Sequence, residues 1–555
     1  MELEGIGVTP EKGVGNVYFY EEEELSFEKS SNRTVKEEKE RFESAREEAE
    51  HQLKEKTEKA EKETSGSESE IFEAHIQFLK DPQINSNVEE NIEESLTAEQ
   101  SVKSGFEQPI KQLESQEGRM KERADDLRDI RDNLIRILSG KEKQGLSNLP
   151  KDSVIVAENL KPSDTAEIDK SKVNGIVTAK GSKTSHVAIL SKSMGIPAVV
   201  GVEDIDDLKN SGKILVDGID GKVVVDPSQE QVREAEKETK AEVISHEVET
   251  SDDKRIEVAA NVAKPADVSE AANNGADGIG LYRTEFMFLE REEPPSEEEH
   301  YENYVEALKK FPEQRVVVRT MDIGGDKSVP YLDLEKTENP FLGLRGIRLA
   351  NEKGEELFKT QIKALLRASA AENGGNLCIM FPMISSVEEF QNAIDKTEEL
   401  KSELEKEGKE FGDPEIGLMI ETPSAVQMAN ELAEKADFLS IGTNDLTQYT
   451  MAASRTDSKV SDLQDPLYPS VLRSIKQTTE AAHSEDAWVG MCGEMAGNPE
   501  LTELLIGMGL DELSMSSKLV PRVKKNVESI SAEEANKISR KAIESSTREK
   551  VKEII

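Results

Sequence analysis

Short apolar runs alternate with longer amphipathic segments throughout the second half of the chain. Runs rich in β-branched residues are typical of buried strands, and apolar residues spaced three and four apart are typical of helices. Eight strand–helix repeats follow residue 255. This number predicts a (β/α)8 barrel, with a doubly wound open sheet as the alternative. The predicted strands are 256–261, 278–282, 315–320, 377–383, 416–421, 438–442, 488–492 and 512–515.

The first half of the chain has a different pattern. Apolar residues at helical spacing in Glu- and Lys-rich sequence predict packed helical hairpins over 33–143, with Leu127, Ile130 and Leu134 in one stripe. Strand-like pieces at 1–32 and 144–227 predict one α/β domain that this helical insert interrupts. The charged segment 228–255 predicts a helical linker, and therefore a hinge, before the barrel at 256–555.

One histidine stands at a predicted strand-to-helix junction. His186 follows an apolar run at 175–179 and the small residues at 181–185, and it precedes an amphipathic segment that ends near Pro197. A helix N-terminus favours negative charge, so an imidazole there is suited to accept a phosphoryl group as a nucleophile. A histidine that caps the helix or satisfies a buried hydrogen bond is the structural alternative.

The charge balance excludes some classes of partner. The 71 Lys and Arg residues against 114 Asp and Glu residues leave a net charge of −43, which repels nucleic acid and anionic membranes. This charge is consistent with an acidic solvated surface and with adaptation to high salt. Neither a signal peptide nor a membrane span is predicted, and two distant cysteines argue against a disulfide framework, so we expect a soluble cytoplasmic protein.

Charged and reactive side chains cluster at the ends of the predicted barrel strands, where barrels build their chemistry. Several arginines at one rim imply a small polyanionic ligand, and two carboxylates there are typical of a magnesium site. Salt bridges that only join the rim are the alternative, above all for Arg348. A cysteine at a strand end is suited to an acid–base role. The residues are Arg283, Arg319, Arg345, Arg348, Glu421, Asn444, Asp445, Arg455 and Cys492.

Together these segments closely resemble the Enzyme I family of the phosphoenolpyruvate:sugar phosphotransferase system, across nearly the whole chain. The resemblance implies a swivelling α/β phosphohistidine domain with an all-helical insert, followed by a (β/α)8 TIM barrel. It also implies that phosphoenolpyruvate phosphorylates a histidine, which then phosphorylates the carrier protein HPr. The most specific segments are 181–201, 280–286, 319–327, 339–348, 381–388, 417–423, 440–449 and 490–497.

The resemblance also implies roles for individual residues. His186 matches the phosphorylated histidine, and Cys492 matches the proton donor to the enolpyruvate. Glu421 and Asp445 match the ligands of Mg²⁺. The helical insert 33–143 matches the HPr-docking domain, and the barrel matches the unit that forms the homodimer. The residues that match the substrate-binding set are Arg283, Arg319, Arg345, Asn444, Asp445 and Arg455.

Two alternatives are less consistent with the sequence. A pyruvate, phosphate dikinase or phosphoenolpyruvate synthase shares a swivelling histidine and a barrel, but it needs an ATP-binding domain, and residues 1–150 contain no Gly-rich phosphate loop. A non-catalytic regulator that binds partners through the helical hairpins has no need for His186, Cys492 and the rim arginines together.

Overall fold

The computed structural model describes residues 1–9, 11–21, 27–63, 75–114, 119–141, 146, 149–165, 168–181, 185–209, 211–239, 243–289, 291–325, 327, 329–332, 334, 339–454 and 458–555. The chain divides into two compact units, Met1–Lys240 and Ala241–Ile555. Within these described ranges no helix combines the length and the apolar character needed to cross a bilayer.

The first unit contains an eight-stranded mixed sheet with the order β1-β8-β7-β3-β4-β5-β6-β2, in which β3 to β6 are parallel. Its strands are Glu2–Glu4 (β1), Ile6–Gly7 (β2), Lys12–Tyr20 (β3), Ser153–Ala157 (β4), Val173–Thr178 (β5), Ala198–Val200 (β6), Lys213–Asp217 (β7) and Lys222–Val225 (β8). Ile155 and Ile176 pack on one face of the sheet, and Val154 and Val177 pack on the other. The central strands are therefore buried on both faces, which accounts for their continuous apolar sequence.

The helices of the first unit are Val35–Glu63 (α1), Pro82–Glu93 (α2), Ala98–Glu114 (α3), Arg119–Leu138 (α4), Pro162–Thr165 (α5), His186–Met194 (α6) and Gln229–Thr239 (α7). The helices α1 to α4 enclose one apolar core, which contains the predicted stripe Leu127, Ile130 and Leu134. Asp81 caps α2 by accepting hydrogen bonds from the backbone N–H groups of Gln83 and Ile84. An all-helical insert within an α/β unit is thus confirmed.

The second unit contains a closed parallel barrel. A short strand, Val248–Glu249 (β9), precedes it. The barrel strands β10 to β17 pair in chain order, and β10 pairs in parallel with both β11 and β17, which closes the ring. They are Arg255–Val262 (β10), Ile279–Arg283 (β11), Val316–Arg319 (β12), Leu377–Phe381 (β13), Glu415–Ile420 (β14), Phe438–Ile441 (β15), Trp488–Met491 (β16) and Glu512–Ser516 (β17).

All eight predicted barrel strands are present, and their ends differ from the prediction by no more than two residues. The largest difference is at β13, which ends at Phe381 rather than at residue 383. Pro382 has no N–H to continue the ladder, and Met383 has a φ of 61°, in the left-handed region. The barrel is confirmed, and the open doubly wound sheet is excluded.

Helices surround the barrel and bury one extended apolar layer against its strands. They are Pro265–Asn273 (α8), Glu297–Lys310 (α9), Ile347–Asn351 (α10), Glu355–Ser369 (α11), Val387–Glu407 (α12), Pro423–Gln427 (α13), Ala429–Ala433 (α14), Thr443–Met451 (α15), Pro469–Ser484 (α16), Thr502–Met508 (α17), Val520–Ser529 (α18), Ala532–Glu544 (α19) and Arg548–Lys552 (α20). Because all eight strands run in parallel, their carboxyl ends meet at one rim, which we call the mouth of the barrel.

Candidate active site

The mouth collects most of the side chains that the sequence predicts. Arg283 and Arg319 are the last residues of β11 and β12. Glu421 directly follows β14, and Cys492 directly follows β16. Asp445 lies in the first turn of α15, which follows β15. Five strands therefore contribute charged or reactive groups to one rim.

Arg319 is the centre of a buried ion-pair network. Its Nη2 atom lies 2.7 Å from Glu285 Oε1 and 3.3 Å from Asp322 Oδ2. Lys327 Nζ approaches the same two carboxylates at 3.0 and 3.3 Å. Burial alone would raise the pKa of Glu285, but Arg319 and Lys327 hold that pKa at about 2. The carboxylate is therefore ionised at neutral pH.

Arg345 connects two sides of the mouth. Its Nε and Nη2 atoms donate to the two oxygens of Asp322 at 2.9 and 3.0 Å. Its Nη1 and Nη2 atoms donate to the two oxygens of Asp445 at 3.1 and 3.2 Å. This double bidentate pairing joins the loop after β12 to the start of α15. A direct contact between Arg345 and substrate stays a prediction.

Glu421 is 1% exposed and lies close to other acids. Its Oε1 atom accepts a hydrogen bond from the backbone N–H of Met383 at 2.6 Å. Burial, together with the nearby Asp445 and Asp322, raises the pKa of Glu421 to about 8. Arg345 and Arg319 do not offset these effects on Glu421, and a buried carboxyl that needs further positive charge to ionise is a donor that fits Mg²⁺.

A metal at Glu421 and Asp445 needs further ligands. Among the described residues no group of three or more His, Cys, Asp or Glu side chains is arranged to hold a metal ion. Magnesium usually retains water molecules and takes oxygens from a phosphate substrate, so two protein carboxylates are sufficient for it. The residues present therefore fit a magnesium ion that binds together with substrate.

Two arginines at the mouth keep unpaired nitrogens. The Nε atoms of Arg283 and Arg319 are buried and have no hydrogen-bond partner within the described chain. The guanidinium carbon of Arg283 lies 5.2 Å from the centre of the Phe286 ring, which orients the side chain. A buried donor without an acceptor is unfavourable, and a guanidinium matches the oxygens of phosphate or carboxylate. The mouth is therefore suited to bind a small anion.

Cys492 is positioned as an acid. Its Sγ atom lies 3.6 Å from the hydroxyl of Ser440, which donates to it. Burial raises the pKa of Cys492 to about 12, so the thiol is protonated at neutral pH. Asn261 Nδ2 donates to the carbonyl oxygen of Cys492 at 3.1 Å. Asn444 Oδ1 accepts from the backbone N–H of Glu494 at 3.3 Å, which joins the segments after β15 and β16.

The structure describes His186 less fully than the residues of the mouth, and it does not describe Arg455. His186 is the first residue of α6, after Ser185 in extended backbone, so its predicted position at a helix N-terminus is confirmed. This helix ends at Gly195 in the left-handed conformation (φ 63°), a position that favours glycine. The prediction for Arg455 falls outside the described residues.

Sequence reasoning missed two members of the mouth. The sequence predicts no site role for Glu285 and only a turn for Asp322, but both are buried and both pair with Arg319. A local sequence signal for both was available, because each acid follows a strand-end arginine by no more than three residues, Glu285 after Arg283 and Asp322 after Arg319. Arg348 is confirmed as a rim ion pair, with its Nε 3.2 Å from Glu389 Oε1.

Comparison with known proteins agrees with this geometry. Family profiles match in three segments: "PEP-utilising enzyme, N-terminal" at 4–123, "PEP-utilising enzyme, mobile domain" at 149–221 and "PEP-utilising enzyme, PEP-binding domain" at 237–532. A phosphoenolpyruvate-protein phosphotransferase of Haloferax volcanii is 49% identical over 556 residues, which cover 100% of this chain and 98% of that relative. The chain belongs to the phosphoenolpyruvate-protein phosphotransferase family.

Other members of the family are similar over the same length. The Bacillus subtilis phosphoenolpyruvate-protein phosphotransferase is 41% identical over 563 residues, with 99% of this chain and 98% of the relative covered. The Priestia megaterium protein of the same name is 42% identical over 543 residues, with 96% and 94% covered. The resemblance to Enzyme I inferred from the motifs is thereby confirmed, and so is the class of enzyme, a phosphotransferase.

Proposed function

We propose that this phosphotransferase transfers the phosphoryl group of phosphoenolpyruvate to His186 and then to a histidine of HPr, with release of pyruvate. The observation that carries the proposal is the pair of unpaired guanidinium nitrogens, on Arg283 and Arg319, at the rim that also holds the thiol of Cys492. Phosphoenolpyruvate carries a phosphate and a carboxylate that such guanidinium groups match, and its enol carbon needs a proton donor.

The residues divide the reaction between them. The neutral imidazole of His186 attacks phosphorus, and the bond between phosphorus and the enol oxygen breaks, so that the enolate of pyruvate leaves with the electron pair. Arg283 and Arg319 stabilise the charge on the phosphoryl oxygens. Cys492 Sγ then protonates the methylene carbon, which yields pyruvate and makes the reverse transfer less favourable.

Further residues complete the proposed binding site for phosphoenolpyruvate. Asn444, Asp445, Arg345 and Arg455 contribute to substrate binding in this proposal. Glu421 and Asp445 would hold Mg²⁺, which supplies neutralisation of the phosphate charge when it is bound. The fit of these two carboxylates to a magnesium ion supports this assignment.

The partners follow from the family. HPr docks on the helical segment 33–143, two chains associate through the barrel at 256–555, and the linker 228–255 acts as the hinge that carries His186 between substrate and HPr. The reaction takes place in the cytoplasm, without nucleic acid or membrane as partner. The helical core around α1 to α4, built separately from the sheet cores, supports an independent docking module.

Labelled phosphoenolpyruvate tests the acceptor directly. Incubation with Mg²⁺ should place acid-labile phosphate on His186, and added HPr should remove it. His186→Ala should abolish the label, because the nucleophile is lost. His246→Ala is the matched control, since His246 is an exposed histidine paired with Glu528, and it should leave the label unchanged. Label that persists in His186→Ala would contradict the proposal.

A further inference from the structure

A buried glutamine lies behind the two strand ends that carry the rim arginines. Gln361, on α11, is 0% exposed. Its Oε1 atom accepts from the backbone N–H of Met321 at 2.8 Å. Its Nε2 atom donates to Thr284 Oγ1 at 2.9 Å and to the Tyr304 hydroxyl at 3.1 Å. Both amide donors and the acceptor are therefore in use.

The orientation of this amide is fixed by its partners. A backbone N–H can only donate, so the atom that faces Met321 must be the oxygen. Thr284 Oγ1 donates its hydroxyl hydrogen to the carbonyl oxygen of Arg319 at 2.8 Å. The same oxygen therefore acts as the acceptor of the hydrogen bond from Gln361 Nε2. The Tyr304 hydroxyl accepts the other amide hydrogen, and His300 Nδ1 lies 3.0 Å from this hydroxyl. One continuous chain of hydrogen bonds results.

The partners of Gln361 are neighbours of the active-site residues. Thr284 lies between Arg283 and Glu285, and Met321 precedes Asp322. The strands β11 and β12 have ended at these points, so their ladder no longer holds the two segments together. Beyond the ends of these strands, the side chains of Gln361 and Thr284 provide the hydrogen bonds that join the two segments.

Packing alone would not select a glutamine here. The neighbouring buried positions of α11 are Phe358, Ile362 and Leu365, and all are apolar. Burial of an amide is unfavourable unless each polar atom is paired. The amide therefore has a role that a leucine at the same position would not fulfil.

We infer that Gln361 is a positioning residue for phosphoryl transfer, which fixes the Arg283–Glu285 segment against the Arg319–Asp322 segment through Thr284 and Met321. The inference rests on the proposed assignment of Arg283 and Arg319 to substrate binding. Gln361 acts through the Thr284 side chain after β11 and through the Met321 backbone after β12.

Steady-state turnover with phosphoenolpyruvate and excess HPr, measured as pyruvate release, tests this role. Gln361→Met removes the three hydrogen bonds at nearly constant volume and should lower kcat about 100-fold, because misplacement of charged groups by about an ångström has effects of that size. KM should change less than about 5-fold if the arginines still meet the substrate in the ground state. Gln361→Glu keeps the shape and the oxygen that faces Met321, but a carboxylate cannot donate to Thr284 Oγ1 or to the Tyr304 hydroxyl, so this variant should lower kcat as Gln361→Met does.

The control separates positioning from stability. Thr479→Val removes a buried hydroxyl that donates to Met508 O at 2.8 Å, on the helix α16 away from Gln361. It should lower Tm as Gln361→Met does and leave kcat and KM unchanged. A Gln361→Met enzyme with a lower Tm and wild-type kcat would overturn the inference, and so would a Gln361→Glu enzyme with wild-type kcat.

A second variant separates this inference from the proposed function. Arg319→Lys changes a residue assigned to substrate directly. If Arg319→Lys is inactive while Gln361→Met has wild-type kinetics, the positioning role alone is wrong. If Arg319→Lys has wild-type kinetics, the assignment of the site is wrong and the inference falls with it.

Discussion

The two ends of the barrel both bury charged side chains, but they differ in the polar atoms that they leave without a hydrogen-bond partner. At the mouth, Arg283 and Arg319 each keep an Nε atom without a partner in the described chain. We call the opposite end the floor. There Arg315 Nη1 lies 3.0 Å from Glu257 Oε2, and the guanidinium carbon of Arg315 lies 4.2 Å from the centre of the Trp488 ring. Among the described residues, the unpaired buried atoms at the floor include Oε2 of Glu512, an acid, and Oδ1 of Asn376.

This difference separates a binding site from a structural cluster. Burial and the nearby Glu257 raise the pKa of Glu512 to about 8, so the side chain is largely protonated and neutral at pH 7. A buried acid can become neutral by keeping a proton. An arginine keeps its positive charge at neutral pH, so an Nε–H group without a partner still needs an acceptor, and a phosphate or carboxylate oxygen supplies one. The free donors of Arg283 and Arg319 therefore favour anion binding at the mouth, and the neutral Glu512 does not favour it at the floor.

The largest expected effect is at Arg319. Arg319→Lys keeps the positive charge but loses the planar fork, and we expect kcat/KM for phosphoenolpyruvate to fall roughly 10²- to 10³-fold. Glu512→Gln is the matched change at the floor and should leave kcat/KM near wild type. Steady-state kinetics of both variants measure this difference. Equal losses in the two variants would remove the distinction between mouth and floor.

The two cysteines provide a second comparison, because one lies at each end. Cys492→Ala at the mouth removes the proposed proton donor and should slow pyruvate formation about 100-fold. Cys378→Ala at the floor, where Sγ lies 3.7 Å from Glu415 Oε2, should leave that rate unchanged. Single-turnover release of pyruvate checks both. A slow Cys378→Ala enzyme that is fully folded would show that the floor takes part in chemistry.

The smallest expected effect concerns stability at the floor. The pKa of Glu512 is raised on folding, so its contribution to stability is fully present at low pH and decreases as pH rises from about 4.5 towards about 8. Glu512→Gln should remove this dependence. Relative to wild type, its free energy of unfolding should rise by about 2–3 kcal/mol between pH 5 and pH 7.5. Urea unfolding at the two pH values measures the change, and a constant difference would contradict it.

The strands and their terminal residues could be predicted because the signals are local. Apolar runs bounded by turn residues predict the positions of β10 to β17. The charged or reactive residue at the end of a run then predicts Arg283, Arg319 and Cys492 as site residues. The pairing at the mouth is not local. Arg345 reaches Asp445 from a loop 100 residues away, and Gln361 lies on an amphipathic helix among the apolar buried residues Phe358, Ile362 and Leu365.

Backbone geometry was equally hidden from sequence. Met383 adopts a φ of 61°, although the residues that signal such a conformation are glycine and asparagine. In this conformation its N–H donates to Glu421 Oε1 at 2.6 Å. The strain is maintained by surrounding structure rather than by residue preference, so no local pattern indicates it.

The double pairing of Arg345 has a consequence for the thermodynamics of substrate capture. Arg345 joins Asp322, in the loop after β12, to Asp445, in the first turn of α15, before any substrate arrives. The entropy of ordering these two segments is thus lost during folding, and little of it remains to be lost on binding. Amide hydrogen exchange in both segments should be slow in the free protein, and its rate should change little when substrate is added.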